Sequence, residues 1–218
     1  MKFIKINFKL LPSLNRIVRT CILGDIFLWS GWGLLDPIFA IFIVQNAKGA
    51  TLVSVGILSM IYWIVKGLLQ IPVSLYLDKT EGEKDDFYAM LSGLLIASIA
   101  SFGLLMVQTI HQAYFVQFIK AVGFSLYVPS WSAIFSRHLD KNHTAFDWAI
   151  SSSSASLGLG LAGAIGGTIA SLFGFRVVFL VTGLMGLIGA WVMLFVPNLI
   201  LPRRTTGESK MRDHRIQV

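Results

Sequence analysis

Four ionisable side chains lie inside long apolar stretches of this sequence, where charged groups are rare. Asp25 and Asp36 interrupt the first stretch, Lys66 the second and Lys120 the fourth. A charged side chain within a lipid bilayer costs several kcal/mol, so such residues usually face the interior of a helix bundle or a water-filled cavity. These four residues are therefore the first candidates for contacting a polar solute or for carrying a proton.

Helical spacing places each of these groups on a polar and aromatic face. In the first stretch Asp25, Trp29, Trp32 and Asp36 recur at the spacing of one face of an α-helix. Similar faces are formed by Ser59, Tyr62, Lys66, Gln70 and Ser74 in the second stretch and by Gln117, Lys120, Tyr127 and Trp131 in the fourth. We therefore predict a shared cavity between these three helices. Its candidate lining residues are Asp25, Trp29, Trp32, Asp36, Tyr62, Lys66, Gln70, Gln117, Lys120 and Tyr127.

The same residues have an alternative role, which is to hold helices together through buried hydrogen bonds and ion pairs. Counting about 1.5 Å of rise per residue, Asp36 and Lys120 lie at a similar depth toward the outer side, so they are candidates for a structural ion pair. Lys66 lies near the midplane of the membrane. Asp25 lies deeper toward the cytoplasm and has no predicted partner at its own level, which makes it the candidate for a proton-titrating residue.

The elements that carry these residues require lipid around them. Hydrophobic residues make up 55% of the 218 positions, charged residues only 13%, and the mean hydropathy is +0.73. In a soluble domain roughly a quarter of the residues are charged, because its surface must be compatible with water. Crossing a bilayer takes about 20 mostly apolar residues, and six stretches qualify: 20–45, 51–77, 87–108, 112–136, 146–171 and 175–197. We predict an all-α integral membrane bundle of six transmembrane helices, with basic segments at 1–19 and 198–218.

The lysines and arginines predict the orientation of this bundle. Fourteen of the 18 lie in the N-terminal segment, the second and fourth connections and the C-terminal tail, whereas the other connections hold only Lys48 and Arg176. Cytoplasmic segments carry the excess of basic residues. Both termini are therefore predicted to be cytoplasmic, in a plasma or bacterial inner membrane. The formal charge of +7 is an orientation signal, and no nucleic-acid partner is predicted.

Other chemistries lack the residues that they need. Cys21 is the single cysteine, which excludes an internal disulfide and a cysteine-rich metal site. His138 and His143 share a short loop whose composition is typical of a solvated connection. The serine run 151–154 has no partnered base, so a nucleophilic hydrolase is not supported. We predict no catalytic residue, no metal, no cofactor and no enzymatic activity.

The fifth stretch carries small residues along one face. A helix face of this kind lets another helix approach closely, so a packing contact is predicted there. The face consists of Ser152, Ser156, Gly160, Gly163 and Gly167.

Four segments, in order along the chain, are similar to signatures of one known family. Residues 74–79 (SLYLDK) end in an Asp-Lys that is similar to the end of Gly-x-Leu-Ala-Asp-Arg, and 117–123 (QFIKAVG) resemble Arg-x-x-Gln-Gly-x-Gly with Lys120 at the glutamine position. Residues 162–167 (AGAIGG) resemble Gly-Pro-x-x-Gly-Gly without its proline, and 173–179 (FGFRVVF) are similar to Phe-Gly-Trp-Arg-x-x-Phe. Together they resemble one six-helix half of a major facilitator superfamily transporter.

The resemblance implies a role for each helix. Helices one and four line the cavity, two and five face a second half, and three and six face lipid. It also implies a gating loop at Asp78 and Lys79, with Asp78 holding a gate together with Arg137. Family members normally have two halves around a shared site, so we expect a homodimer, a separately encoded second six-helix half, or a truncated and inactive unit.

The expected function is transport of a small solute by alternating access, as a dimer of half-size units, with proton coupling through Asp25 as an added hypothesis. The charged and aromatic cavity residues suit a zwitterion, a sugar or an aromatic cation. The alternative is a non-transporting membrane scaffold or subunit that pairs with another membrane protein through the same bundle.

Overall fold

A computed structural model describes residues 14–79 and 82–195, and these form six long helices. The helices are α1 (Arg16–Asn46), α2 (Leu52–Leu77), α3 (Lys84–Gly103), α4 (Ile110–Arg137), α5 (Thr144–Phe173) and α6 (Phe175–Met193). A short 3-10 turn, Leu104–Met106, extends α3. All six are long and apolar enough to cross a membrane, which confirms the predicted all-α membrane bundle. The predicted basic tail at 198–218 and residues 1–13 of the basic N-terminal segment lie outside the described residues.

Local sequence signals explain where several helices begin and end. The Asn15 side chain accepts a hydrogen bond of 3.1 Å from the amide of Ile17, and Thr51 and Ser54 form a reciprocal capping box at the start of α2. Such caps satisfy amide groups that have no partner within the helix. Gly174 is the one residue between α5 and α6, and its φ of 83° is a conformation that side chains disfavour. A glycine there allows the chain to reverse direction at once.

The helices pack as an open arc. The main contacts join α2 to α4, α4 to α3, α3 to α6, α6 to α1 and α1 to α5. The helices α1 and α4 therefore face each other across the arc, and α2 and α5 lie at its two ends. Both end helices leave large apolar side chains exposed, among them Leu68 and Ile71 on α2 and Leu157 and Leu161 on α5.

Glycines bring α3 and α4 into backbone contact. A Cβ atom added to Gly93 would lie 2.6 Å from the carbonyl oxygen of Gly123 and 2.6 Å from the amide nitrogen of Tyr127, and one added to Gly123 would lie 2.8 Å from the amide nitrogen of Ala97. No side chain fits at either position without moving a backbone. This contact fixes α4 between two of the predicted cavity residues, Lys120 and Tyr127.

The contact between α1 and α5 uses a different face of α5 from the predicted one. At Gly33 a Cβ atom would lie 2.8 Å from Cα of Leu159, and Ala162 and Gly166 are buried against α1. Gly163 of the predicted face also approaches α1, but Ser152, Ser156 and Gly160 are exposed. Small residues occur on two neighbouring faces of α5. The helix α1 packs mainly on the face that contains Ala162 and Gly166, which is not the predicted one.

Candidate functional site

A cavity of about 390 Å³ lies between α1, α2 and α4. Its lining residues are Trp29, Trp32, Asp36, Phe39 and Ala40 of α1, Val55, Ser59, Tyr62, Trp63 and Lys66 of α2, and Gln117, Lys120 and Phe124 of α4. Most of them lie toward the end of the bundle where α1 runs into α2. Seven of the ten predicted cavity residues line this space; Asp25, Gln70 and Tyr127 do not.

Lys120 lies in a box of aromatic rings at the wall of the cavity. Its Nζ is 3.8 Å from the centre of the Trp32 ring, 4.9 Å from that of Tyr62 and 6.0 Å from that of Phe124. The face of an aromatic ring carries partial negative charge and attracts an ammonium group. The rings from three helices therefore fix the position of this charge.

Lys66 lies beside the same aromatic group on α2. Its Nζ is 5.0 Å from the centre of the Trp63 ring and 5.8 Å from that of Tyr62. Tyr62 thus contacts both ammonium groups. Two positive charges of the cavity wall, those of Lys66 and Lys120, therefore lie near the Tyr62 ring.

Among the described residues, Asp36 is the one carboxylate of the cavity wall. The structural ion pair expected between Asp36 and Lys120 is not found there. Asp36 is exposed and lines the cavity. The ion pairs within 4.0 Å among the described residues are Arg137 with Asp86 and His138 with Glu83. Lys120 turns toward the aromatic rings instead. The carboxylate and both ammonium groups are therefore left facing the cavity.

Asp25 is buried next to the cavity rather than in its wall. The hydroxyl of Tyr127 donates a hydrogen bond of 2.7 Å to Oδ1 of Asp25, and the exposed fractions of the two residues are only 2% and 6%. The expectation that Asp25 has no partner is therefore wrong. The hydroxyl of Tyr127 on α4 is the partner that the packing brings to Asp25 on α1. The two residues form one polar contact between α1 and α4.

Gln70 and the predicted gating residues lie away from the cavity. Gln70 is half-buried in the part of α2 beyond Lys66 and does not line the cavity, and Asp78 and Lys79 are exposed at the end of α2. Arg137 donates a hydrogen bond to Asp86 at the start of α3, and the expected ion pair of Arg137 with Asp78 is not among those of the described residues. The sequence offers several acids in this connection, and the packing of α3 on α4 brings Asp86 to the arginine.

Phe124 and Trp63 are cavity residues that the sequence reasoning missed. The Phe124 ring lies 5.8 Å from Trp29, 5.7 Å from Trp32 and 5.9 Å from Tyr62, measured between ring centres, and 6.4 Å from Tyr127. It separates the cavity from the Asp25–Tyr127 contact. Its position one helical turn after Lys120 is the sequence signal that places it on the same face of α4. Trp63 follows Tyr62 directly, next to the predicted polar face of α2 and outside it.

Aromatic side chains close the other end of the bundle. Trp131 and Phe135 of α4 stack with ring centres 4.6 Å apart, and Trp148 of α5 lies 4.8 Å from Phe135. The indole Nε1 of Trp131 also donates a hydrogen bond of 3.4 Å to the carbonyl oxygen of Cys21 on α1. This cluster ties α1, α4 and α5 together beyond the floor of the cavity. The cavity and the packed end are thus at opposite sides of the bundle.

Comparison with known proteins agrees with this architecture. No curated protein matches the chain. The model of the family described as Major Facilitator Superfamily matches residues 21–215, which include nearly all of the six helices. Six apolar helices with a polar and aromatic cavity between them are also what the resemblance of the sequence implied. The chain therefore belongs to the major facilitator superfamily, a family of membrane transporters.

Proposed function

We propose that this six-helix unit transports a small solute by alternating access and that the cavity between α1, α2 and α4 is one wall of its solute site. The observation that carries this proposal is the combination of Asp36, Lys66 and Lys120 on one cavity of about 390 Å³. Charged groups at this depth cost free energy, and a role that is only structural would pair them with one another. Their side chains instead face space that a solute can enter.

Counterflow exchange in proteoliposomes tests the proposal without any assumption about the driving force. The vesicles are loaded with one unlabelled probe, and uptake of the same labelled probe is followed for glucose, leucine, benzoate and choline in turn. We expect exchange of one probe, and we expect Lys120→Met to reduce that exchange about tenfold or more because it removes a charge from the site. Lys48→Met, at an exposed lysine between α1 and α2, is the matched control. Folded protein that exchanges none of the four probes would contradict the proposal.

The second wall of the site is proposed to be a second copy of this chain. Transporters of this family enclose their site between two related six-helix units. The helices α2 and α5, at the two ends of the arc, leave Leu68 and Leu157 exposed to 67% and 66%. A second unit that met these ends would cover apolar surface and close the cavity from the open side. A separately encoded six-helix half is the other partner that fits the same faces.

Cysteine cross-linking tests the pairing of α2 with α5. Leu68 and Leu157 each lie about 24 Å along the helix axis from the same end of the bundle, at about 1.5 Å per residue. We expect the double variant Leu68→Cys/Leu157→Cys to give a covalent dimer with a short thiol cross-linker, and each single variant to give much less. The pair Leu95→Cys/Leu184→Cys, on exposed positions of α3 and α6, is the control. Native Cys21 is fully buried.

Asp25 is proposed to couple transport to protons, with Tyr127 as the partner that accompanies its change of charge. The support is its burial, its hydrogen bond to Tyr127 and its position behind Phe124, one layer from the cavity. In Asp25→Asn we expect counterflow exchange to persist and accumulation driven by a pH gradient to be lost. Loss of both activities in a folded variant, or retention of both, would contradict the coupling role.

The orientation and the membrane remain those that the basic residues favour. Both termini are proposed to lie in the cytoplasm of a plasma or bacterial inner membrane. The cavity would then face the outside in the described conformation, and the cluster around Trp131 would be the closed cytoplasmic side.

A non-transporting membrane subunit is the second candidate, and one observation favours it. The exposed small residues Ser152, Ser156 and Gly160 leave a face of α5 on which a helix of another protein could pack closely. For a subunit of this kind, the charges of the cavity wall would be dispensable. Normal assembly of Lys120→Met together with no counterflow by the unaltered chain would favour this candidate.

A further inference from the structure

The cavity wall carries more positive than negative charge. Lys66 and Lys120 contribute two ammonium groups and Asp36 one carboxylate. Neither lysine has a carboxylate within 4.0 Å among the described residues, since the ion pairs found there belong to Arg137 and His138. The wall therefore has one positive charge in excess.

The aromatic rings position this charge but do not neutralise it. A cation–π contact contributes about 0.5–2 kcal/mol, whereas a charge within the hydrocarbon region costs at least about 2.5 kcal/mol. The rings around Lys120 and Lys66 are also already in contact with these lysines, at 3.8–6.0 Å for Lys120 and 5.0–5.8 Å for Lys66. A cationic solute on any of these rings would have to displace a lysine, and a cation anywhere in the cavity would raise the local charge further.

A solute with one acidic group and an apolar body fits both the charge and the aromatic rings of the wall. Its acidic group brings the charge of the wall to zero when it lies beside Tyr62, the ring that both lysines contact. Its body can pack on the half-buried Trp29 and the exposed Trp63, which also border the cavity. A zwitterion or an uncharged sugar leaves this excess charge unchanged.

We propose that the cavity wall of each chain binds the acidic group of an organic anion with an aromatic or apolar body, through Lys66 and Lys120. The inference rests on the proposed function in so far as this anion is the transported solute. Binding itself is independent of that function.

Three probes that differ in little but charge test this inference: benzoate, benzyl alcohol and benzylamine. Each is titrated against the full chain in lipid nanodiscs, and binding is followed by tryptophan fluorescence, because Trp29, Trp32 and Trp63 are three of the six tryptophans and line the cavity. We expect benzoate to bind about tenfold more tightly than benzyl alcohol, as a charge-assisted contact implies. Benzylamine should bind most weakly.

Variants assign the preference to the two lysines. Lys66→Met and Lys120→Met should each reduce the preference for benzoate over benzyl alcohol, whereas Lys120→Arg, which keeps the charge, and Lys48→Met should retain it. Three results would each overturn the inference. These are binding of benzylamine as tight as that of benzoate or tighter, no binding of benzoate, and a preference for benzoate over benzyl alcohol that survives in the Lys66→Met/Lys120→Met double variant. Benzoate binding without counterflow of any probe would instead contradict the proposed function alone. Counterflow of choline without benzoate binding would contradict the anion inference and would support transport.

Discussion

The hydrogen bond between Tyr127 and Asp25 makes a quantitative prediction for the stability of the bundle. The change Tyr127→Phe removes one hydroxyl and keeps the ring that packs 6.4 Å from Phe124. It leaves Oδ1 of a carboxylate that is 6% exposed without its donor. Hydrogen bonds to charged groups contribute about 1.5–3 kcal/mol in soluble proteins, and those between membrane helices average about 0.6 kcal/mol with a maximum near 1.7 kcal/mol. Since water cannot replace the lost donor at this buried site, we expect a value near the overlap, about 1.5 kcal/mol.

Reversible unfolding in bicelles, followed by steric trapping, measures this loss of unfolding free energy. Asp25→Ala and the double variant complete a cycle, and the coupling between the two positions should be about 1 kcal/mol. Tyr88→Phe, at a tyrosine of α3 that is 63% exposed, is the control and should cost less than about 0.5 kcal/mol. A coupling indistinguishable from zero would show that α1 and α4 are not joined at this point, and the depth assigned to Asp25 would have to be revised.

Three further predictions concern packing, charge and orientation. Replacing Gly123 by leucine should abolish the monodisperse folded protein in size-exclusion chromatography, because α3 leaves no space for a side chain there; an unchanged elution profile would argue against the backbone contact. Arg137→Gln leaves the fully buried Asp86 without its ion pair and should lower the unfolding free energy by about 2–3 kcal/mol in the same steric-trapping assay, and a loss below about 0.5 kcal/mol would contradict the pair. In intact cells a membrane-impermeant maleimide should label Lys48→Cys and should label Lys141→Cys only after lysis; the opposite pattern would invert the orientation.

The helical period made most of the fold and part of the cavity predictable from the sequence. A period of 3.6 residues fixes which side chains share a helix face, so Trp29, Trp32 and Asp36 could be grouped before their neighbours were known. The lengths of the apolar stretches likewise determine the number of helices, because a bilayer sets the length that a span needs. Such signals are local and do not depend on how the helices rotate against one another.

The contacts that were predicted wrongly all depend on that rotation. Asp25 was given no partner because Tyr127 was assigned to the cavity face, and only the packing of α4 on α1 shows that its hydroxyl points to the carboxylate. Lys120 lies over the rings of Trp32 on α1 and Tyr62 on α2, at 3.8 and 4.9 Å, although Asp36 has the opposite charge. Arg137 pairs with Asp86 because α3 packs on α4 and brings this carboxylate to the arginine.

One measurement tests most directly whether two copies of this chain form a transport cavity: counterflow in proteoliposomes that contain mixtures of unaltered and Lys120→Met chains. If each transporter is a dimer with both cavity walls contributing to one site, one defective wall inactivates it. A mixture in equal parts should then retain about a quarter of the exchange, since only dimers of two unaltered chains are active. Retention of about half would show that each chain acts alone. The absence of exchange from the unaltered chain would contradict transport by this protein itself.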